Sequence, residues 1–148
     1  MEKKIDIPNN MFAPNLVNIC VDKSIHNEFS GRLYHCYDHE PWIFTSMVQL
    51  LKEMEYFYDT ISFPQASTLS RNFKKVEFGK REMLQKVEEL EHILVPRGEA
   101  GTFLAAVRYR QNSTWQGQIF WMEQQKEWQF VSTLEFIKII DGAFIEGR

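Results

Sequence analysis

The residues from Gly117 to Phe144 read GQIFWMEQQKEWQFVSTLEFIKIIDGAF and predict a strand, a turn, a second strand and a helix in close succession. An earlier stretch, GRLYHCYDHEPWIFTSMVQLLKEMEYFY from Gly31 to Tyr58, aligns with it without a gap when the numbering is shifted by 86. Identical residues then occupy five matched positions: Gly31 and Gly117, Trp42 and Trp128, Phe44 and Phe130, Ser46 and Ser132, Lys52 and Lys138. Similar residues fill many of the remaining positions, so the sequence predicts an internal repeat.

The helix of each copy has a recognisable start. Ser46 with Gln49, and Ser132 with Glu135, have the spacing of a capping box, in which two side chains satisfy backbone donors at a helix N-terminus. Apolar residues follow at helical spacing in both copies: Val48, Leu51, Met54 and Tyr58, then Leu134, Ile137 and Ile140. We therefore predict two helices that begin at the matched serines and pack on a sheet.

Three strands are predicted before each helix. Val17, Ile19 and Val21 alternate with Asn18, Cys20 and Asp22, as in a half-buried strand. In the matching strand of the second copy, Phe103, Ala105, Val107 and Tyr109 should share one face, and Arg108 and Arg110 should share the face that points away from the core. Gly31 and Gly117 lie inside second strands, where glycine suggests a bulge or a close backbone approach. Polar turns at 37–40 and 123–126 lead to third strands at 41–45 and 127–131.

These elements predict an α+β fold made of two β-β-β-α repeats with pseudo-twofold symmetry, antiparallel pairing and a connecting helix. The two copies could share one sheet or lie face to face. We expect one domain over residues 1–148, divided into an irregular arm (1–15), a first repeat (16–59), a connector (60–101) with a helix at about 80–94, a second repeat (102–144) and a tail (145–148). The tail resembles a laboratory protease site and is given no functional weight.

The composition narrows the class of protein. Hydrophobic residues make up 44% and charged residues 25% of the 148 residues, which is ordinary for a globular domain. A net charge of −3 does not indicate an obligatory nucleic-acid or acidic-membrane partner. Two cysteines, without a signal peptide or membrane-spanning run, indicate a cytoplasmic location. We expect a monomer, in effect a pseudo-dimer, or a small homo-oligomer.

The densest cluster of chemically active residues is at a predicted strand end: His35, Cys36, Asp38 and His39. These types can bind zinc, but residues four apart on a strand lie about 13 Å apart, and the second copy holds no equivalent ligands. A polar turn is the favoured interpretation, and no metal or cofactor is expected. Cys20 or Cys36 beside a histidine could act as a nucleophile, yet cysteine is usually a buried apolar residue. Because no catalytic motif occurs, it is uncertain whether the protein is an enzyme, and a non-catalytic role is favoured.

Two basic regions could bind phosphate groups or a partner. The first lies in the connector and contains Arg71, Lys74, Lys75 and Arg81. The second combines Arg108 and Arg110 with Trp115. Basic groups beside aromatic rings can hold phosphates and stack bases. The alternative interpretation is that each region is a solvated charged face.

Four segments carry a resemblance: RQNSTWQG (110–117), FVSTLE (130–135), GRLY (31–34) and FPQAS (63–67). In these segments the chain resembles a family of small Firmicutes (Clostridia) proteins of unknown function. The resemblance implies a compact bacterial protein, associated with mobile elements, and supplies no activity or site to transfer.

The sequence thus favours a non-catalytic intracellular module for protein interaction or regulation, whose partner is another protein. Its partner surface is expected on features that the repeat does not share, chiefly residues 62–82 and the Arg108/Arg110 face. The alternative is a nucleic-acid or nucleotide binding protein, which includes a mobile-element inhibitor of a host defence system.

Overall fold

A computed structural model describes residues 7–8, 11, 15–25, 28–61, 90–111 and 114–146. They form an α+β fold with six strands and three helices in this part of the chain. The elements are β1 (Val17–Ile25), β2 (Glu28–His35), β3 (Asp38–Phe44), α1 (Met47–Ile61), α2 (Leu90–Leu94), β4 (Gly101–Gln111), β5 (Thr114–Trp121), β6 (Lys126–Phe130) and α3 (Thr133–Glu146). None of these helices combines the length and the apolar character that crossing a membrane requires.

The strands form one antiparallel sheet in the order β3-β2-β1-β4-β5-β6. The two predicted copies therefore lie side by side, and β1 pairs with β4 at the centre. We call residues that lie 86 positions apart counterparts. Asn18 pairs with its own counterpart, Leu104, while Val17 and Ile19 pair with Ala105 and Phe103. This pairing is self-complementary, as at a twofold axis, and agrees with the repeat read from the sequence.

Matched bulges explain the two matched glycines. The β1–β2 register shifts between Val21 and Lys23, and the β4–β5 register shifts between the counterparts Val107 and Tyr109. A Cβ on Gly31 would lie 1.9 Å from the carbonyl O of Cys20, and one on Gly117 would lie 2.2 Å from that of Ala106. A side chain at either glycine would collide with the neighbouring strand, so the predicted close approach is confirmed.

Both long helices begin where the capping boxes predict. The backbone N–H of Gln49 donates to Ser46 Oγ at 3.1 Å, and that of Glu135 donates to Ser132 Oγ at the same distance. The side chains of Gln49 and Glu135 in turn accept from the backbone N–H of the residue before each serine, at 2.9 Å in both copies. Two backbone donors at each helix start are thereby satisfied.

The predicted apolar stripes are wrong at their first residues. Val48 is 61% exposed and Leu134 is 60% exposed. The buried side of α1 contains Leu50, Met54, Phe57 and Tyr58, so the predicted stripe is confirmed at Met54 and Tyr58. Val48 precedes Leu50 by two positions, which is about 200° around a helix, so the two side chains point in different directions.

The main core lies between the sheet and the two long helices, where Trp42 and Trp128 pack against its margin, half-buried. A smaller core covers the other face of the sheet, with Ile93 from α2 and Met11 over Leu104. Met11 is fully buried, so this described part of the predicted irregular arm packs on the sheet.

Hydrogen bonds hold the end of the connector against β1. The side-chain amide of Asn18, which is buried, donates to the carbonyl groups of Ile93 (2.6 Å) and Pro96 (3.0 Å). The carbonyl O of Val21 also accepts from the backbone N–H of Ala100 at 2.8 Å. These bonds hold the chain in place as it enters β4.

Two predicted boundaries need correction. The turn predicted at 37–40 is a two-residue turn, because His35 already pairs with Asp38 and β3 begins there. The second turn spans 122–125, and β6 begins at Lys126. Of the helix predicted at about 80–94, only Leu90–Leu94 falls within the described residues, and it is helical.

Candidate functional site

The predicted basic residues fall into two groups. Arg71, Lys74, Lys75 and Arg81 lie outside the described residues. The remaining predicted positions are Arg108, Arg110 and Trp115, which the structure does not bring together on one surface.

Arg110 is a buried structural residue. Only 3% of it is exposed, and its Nη1 donates to Glu55 Oε2 and to Asp59 Oδ1, each at 2.8 Å. Its guanidinium carbon also lies 5.6 Å from the centroid of the Tyr58 ring. The prediction that Arg108 and Arg110 share a face is wrong, because the bulge at Arg108 shifts the register and turns Arg110 towards α1.

Trp115 also belongs to the core. It is buried, and its Nε1–H donates to Glu55 Oε1 at 2.8 Å. Its ring contacts those of Tyr58 (5.6 Å between centroids) and Phe136 (5.5 Å). It therefore presents no free face on which a base could stack. Glu55, whose side chain is 45% exposed, accepts hydrogen bonds from both Trp115 and Arg110.

His35 is enclosed by aromatic side chains. Its ring centroid lies 4.0 Å from that of Trp42 and 4.3 Å from that of Phe57. Its Nδ1 accepts from the backbone N–H of Tyr37 at 3.2 Å. Burial lowers the pKa of this imidazole to about 4, so it is neutral at physiological pH. These contacts give His35 a packing role.

The other predicted ligands do not converge with His35 on one point. Asp38 Oδ2 accepts from Trp42 Nε1–H at 3.1 Å, and this bond lowers the pKa of the carboxyl group. The ring of His39 lies 5.0 Å from that of His92, whose Nε2 is 3.0 Å from the carbonyl O of His35. Within the described ranges, no three His, Cys, Asp or Glu residues are placed to hold a metal ion.

Cys20 does not have the properties of a catalytic nucleophile. It is fully buried in the sheet, and burial raises the pKa of its thiol to about 12. The thiol therefore stays protonated at neutral pH, whereas the thiolate is the reactive form.

An open groove of about 410 Å³ lies in the second half, at residues of β4, β5 and β6. It is lined by Arg108, Tyr109, Gln116, Gly117, Gln129, Phe130 and Val131. Tyr109 is 64% exposed and Val131 is 62% exposed. The groove thus combines a cation, two amides and two exposed apolar side chains.

A row of polar contacts runs across the strands beside the groove. Arg108 Nη2 donates to Gln118 Oε1 at 2.7 Å. Gln118 Nε2 donates in turn to Glu127 Oε2. The row links β4, β5 and β6, and it holds the guanidinium end of Arg108 through Nη2.

In the first half, the counterparts of Arg108 and Gln118 are Asp22 and Arg32, which form an ion pair. Arg32 donates to Asp22 through Nε (2.9 Å) and Nη2 (3.0 Å), and its Nη1 donates to Tyr34 OH at 2.9 Å. Its Nη2 also donates to the carbonyl O of Arg97 at 2.8 Å. The bond from Arg32 lowers the pKa of the Asp22 carboxyl group.

The sequence interpretation did not identify Tyr109, Val131 or Gln129 as site residues. A comparison of the two copies would have given a signal, because Lys23 and Thr45 occupy the positions that correspond to Tyr109 and Val131. These pairs differ in polarity although the backbone around them recurs. Differences of this kind mark positions at which one half is free to serve a function.

The side chains that line the groove are of types that bind other molecules. This lining supplies hydrogen-bond donors and acceptors with apolar surface, which suits binding to another molecule.

Comparison of the chain with protein-family models, curated proteins and solved structures finds no match. The resemblance to small Firmicutes proteins therefore stays a prediction.

Proposed function

We propose that this protein is a non-catalytic module for protein interaction or regulation that acts in the cytoplasm and binds its partner at the groove of the second half. The observation that carries the proposal is the exposure of Tyr109 and Val131 beside the groove. Tyrosine is enriched at the energetic centres of protein interfaces, because its ring contributes large contact area and its hydroxyl remains able to hydrogen-bond.

The difference between the halves supports this assignment. At the same positions the first half carries Lys23 and Thr45, both of which are exposed. The fold therefore does not require an apolar residue at either position. An apolar pair that the fold does not require is best explained by contact with a partner.

The test replaces the groove residues by those of the first half. In the double variant Tyr109→Lys with Val131→Thr, each new residue is the one that the first half uses at the counterpart position. Tagged protein is expressed in the cells that encode it, and co-purifying proteins are quantified by mass spectrometry. We expect a partner whose recovery falls by roughly tenfold or more in the double variant, as loss of an interface centre would produce.

A matched control comes from the first half. Ile43 is 57% exposed, and its counterpart is Gln129, so Ile43→Gln removes an exposed apolar side chain away from the groove. We expect Ile43→Gln to retain the partner, and both variants to melt within a few degrees of the wild type. Equal recovery by the wild type and the double variant would reject the groove as the partner surface.

Nucleic-acid or nucleotide binding is a second candidate, which includes inhibition of a host defence system by a mobile-element protein. It is favoured by the presence of Arg108, Tyr109 and the amides of Gln116 and Gln129 at one groove. The test measures retention of labelled RNA, DNA and nucleotides as a function of salt, with Arg108→Ala as the variant. Retention that weakens with salt and with Arg108→Ala supports this function, and no retention at low salt rejects it. Arg110 is unsuitable for this test because it is buried.

A further inference from the structure

The bulges of the two halves carry opposite charges at the same position. Asp22 occupies the bulge in β1, and its counterpart Arg108 occupies the bulge in β4. Asp22 holds the guanidinium of Arg32 through two bonds, whereas the counterpart of Arg32 is the neutral Gln118. The second half therefore presents a guanidinium where the first half has a carboxylate, and an amide where the first half has the guanidinium.

This reversal determines which group suits the groove. Arg108 is exposed and lines the groove. A guanidinium binds a carboxylate through paired N–H donors, which is the geometry of Arg32 with Asp22 at 2.9 and 3.0 Å. Glu127 accepts from Gln118 in the same row of side chains, and its negative charge opposes a phosphate dianion more strongly than a single carboxylate.

We propose that the groove binds a segment of a partner protein in which an acidic side chain lies next to an apolar one. The acidic side chain pairs with Arg108, as Asp22 pairs with Arg32 in the first half. The apolar side chain packs against Tyr109 and Val131, which flank the groove. This inference rests on the proposed function, because it names the chemistry of the partner at the same surface.

The first half suggests a variant of this protein that should no longer bind the acidic segment. The double variant Arg108→Asp with Gln118→Arg transplants the Asp22–Arg32 pair into the second half, on a backbone with the same bulge. The new guanidinium would be held by the new carboxylate beside the groove. An acidic segment would then face a carboxylate at position 108, which repels it. The guanidinium at position 118 would already be paired with that carboxylate.

The experiment is a selection of displayed short random peptides on the full-length wild-type chain. We expect the enriched peptides to carry Asp or Glu next to an apolar residue. Their affinity should fall by about tenfold or more on the double variant, and by a similar factor when the peptide acid is replaced by its amide, since each change removes a charge-assisted pair. Inorganic phosphate, added as competitor at the peptide concentration, should not displace them.

Each other outcome overturns the inference. Enriched peptides without an acid, whose binding still depends on Tyr109 and Val131, would refute the acidic partner and leave the proposed function intact. Peptides that bind the transplant variant equally, displacement by phosphate, or the absence of any enriched peptide would refute it as well. Should the transplant variant fail to melt cooperatively, Arg108→Gln replaces it, with the same expected loss of affinity.

Discussion

The rings of Tyr58 and Trp115 lie 5.6 Å apart at a steep angle, and they join the helix of the first half to the second strand of the second half. Their counterparts repeat the contact in the other direction, because Phe144 of α3 lies 5.1 Å from Phe29 of β2. Each long helix thus begins beside its own third strand and ends on the opposite half. The core is continuous across the centre of the sheet for this reason.

Removing the carboxylates that pair with Arg110 should destabilise the protein more than removing Arg110 itself. Replacing Glu55 and Asp59 together by alanine removes both carboxylates from the guanidinium of Arg110, whose side chain is 2% exposed. We expect a loss of about 3–5 kcal/mol in the free energy of unfolding, because the buried charge remains. Arg110→Met removes that charge and should cost less. Urea denaturation measures both, and a larger loss for Arg110→Met would contradict this account.

The matched glycines make a prediction about strand spacing. Gly31→Ala and Gly117→Ala should each lower the free energy of unfolding by about 2 kcal/mol or more, because the added Cβ would strike a backbone carbonyl of the adjacent strand. Gly142→Ala is the control, since a Cβ at this helical position would meet nothing within 4 Å. It should stabilise the protein by about 0.5–1 kcal/mol. Thermal unfolding distinguishes the three variants, and a stable Gly117→Ala protein would be evidence against the tight bulge.

The buried imidazole of His35 should make stability depend on pH. Its pKa is lowered from 6.5 to about 4, so the unfolded chain binds a proton more readily than the folded chain below pH 6.5. The stability is therefore fully present above pH 6.5 and decreases as the pH falls towards 4. Between pH 7 and pH 4.5 we expect a loss of about 2–3 kcal/mol from this residue.

Urea titrations at those two pH values measure the loss. His35→Phe, which keeps an aromatic ring between Trp42 and Phe57 without a titrating group, is the control and should show a smaller difference between the two pH values. The carboxyl groups of Asp22 and Asp38, whose pKa values are lowered below 3.8, contribute mainly at lower pH. An identical pH dependence in the wild type and in His35→Phe would refute the assignment.

The connector offers a kinetic prediction. Arg97 precedes Gly98 in a segment that the sheet holds through Arg32, which donates to the Arg97 carbonyl O at 2.8 Å. Trypsin cleaves after arginine only when the local backbone can open, so cleavage at Arg97 should be slow in the native protein. Arg32→Gln, which introduces the residue found at the counterpart position, should accelerate it by roughly tenfold, the effect of about 1.4 kcal/mol in local opening.

Mass spectrometry follows the appearance of fragments that begin at Gly98. Leu134→Gln changes a residue of α3 in the second half that is 60% exposed, and it should leave the cleavage rate unchanged. Rapid cleavage of the wild type at Arg97 would show that the bonds do not hold this segment.

Much of the fold follows from local patterns in the sequence. The capping boxes at Ser46 and Ser132 locate both helix starts, because a cap is formed by residues three positions apart. The glycines at 31 and 117 identify the close strand contacts, since only a residue without a Cβ fits there. The α+β class follows from the change between period two and period 3.6 along the chain.

The tertiary structure alone decided the arrangement of the two halves and the location of the groove. Strand alternation predicted one face for Arg108 and Arg110, but a one-residue bulge reverses every side chain after it, and the bulge depends on pairing with β5. The contact of Arg110 with Glu55 and Asp59 joins residues that are distant in sequence. Local patterns carry no information about such contacts, which arise only when the sheet and the crossing helices are assembled.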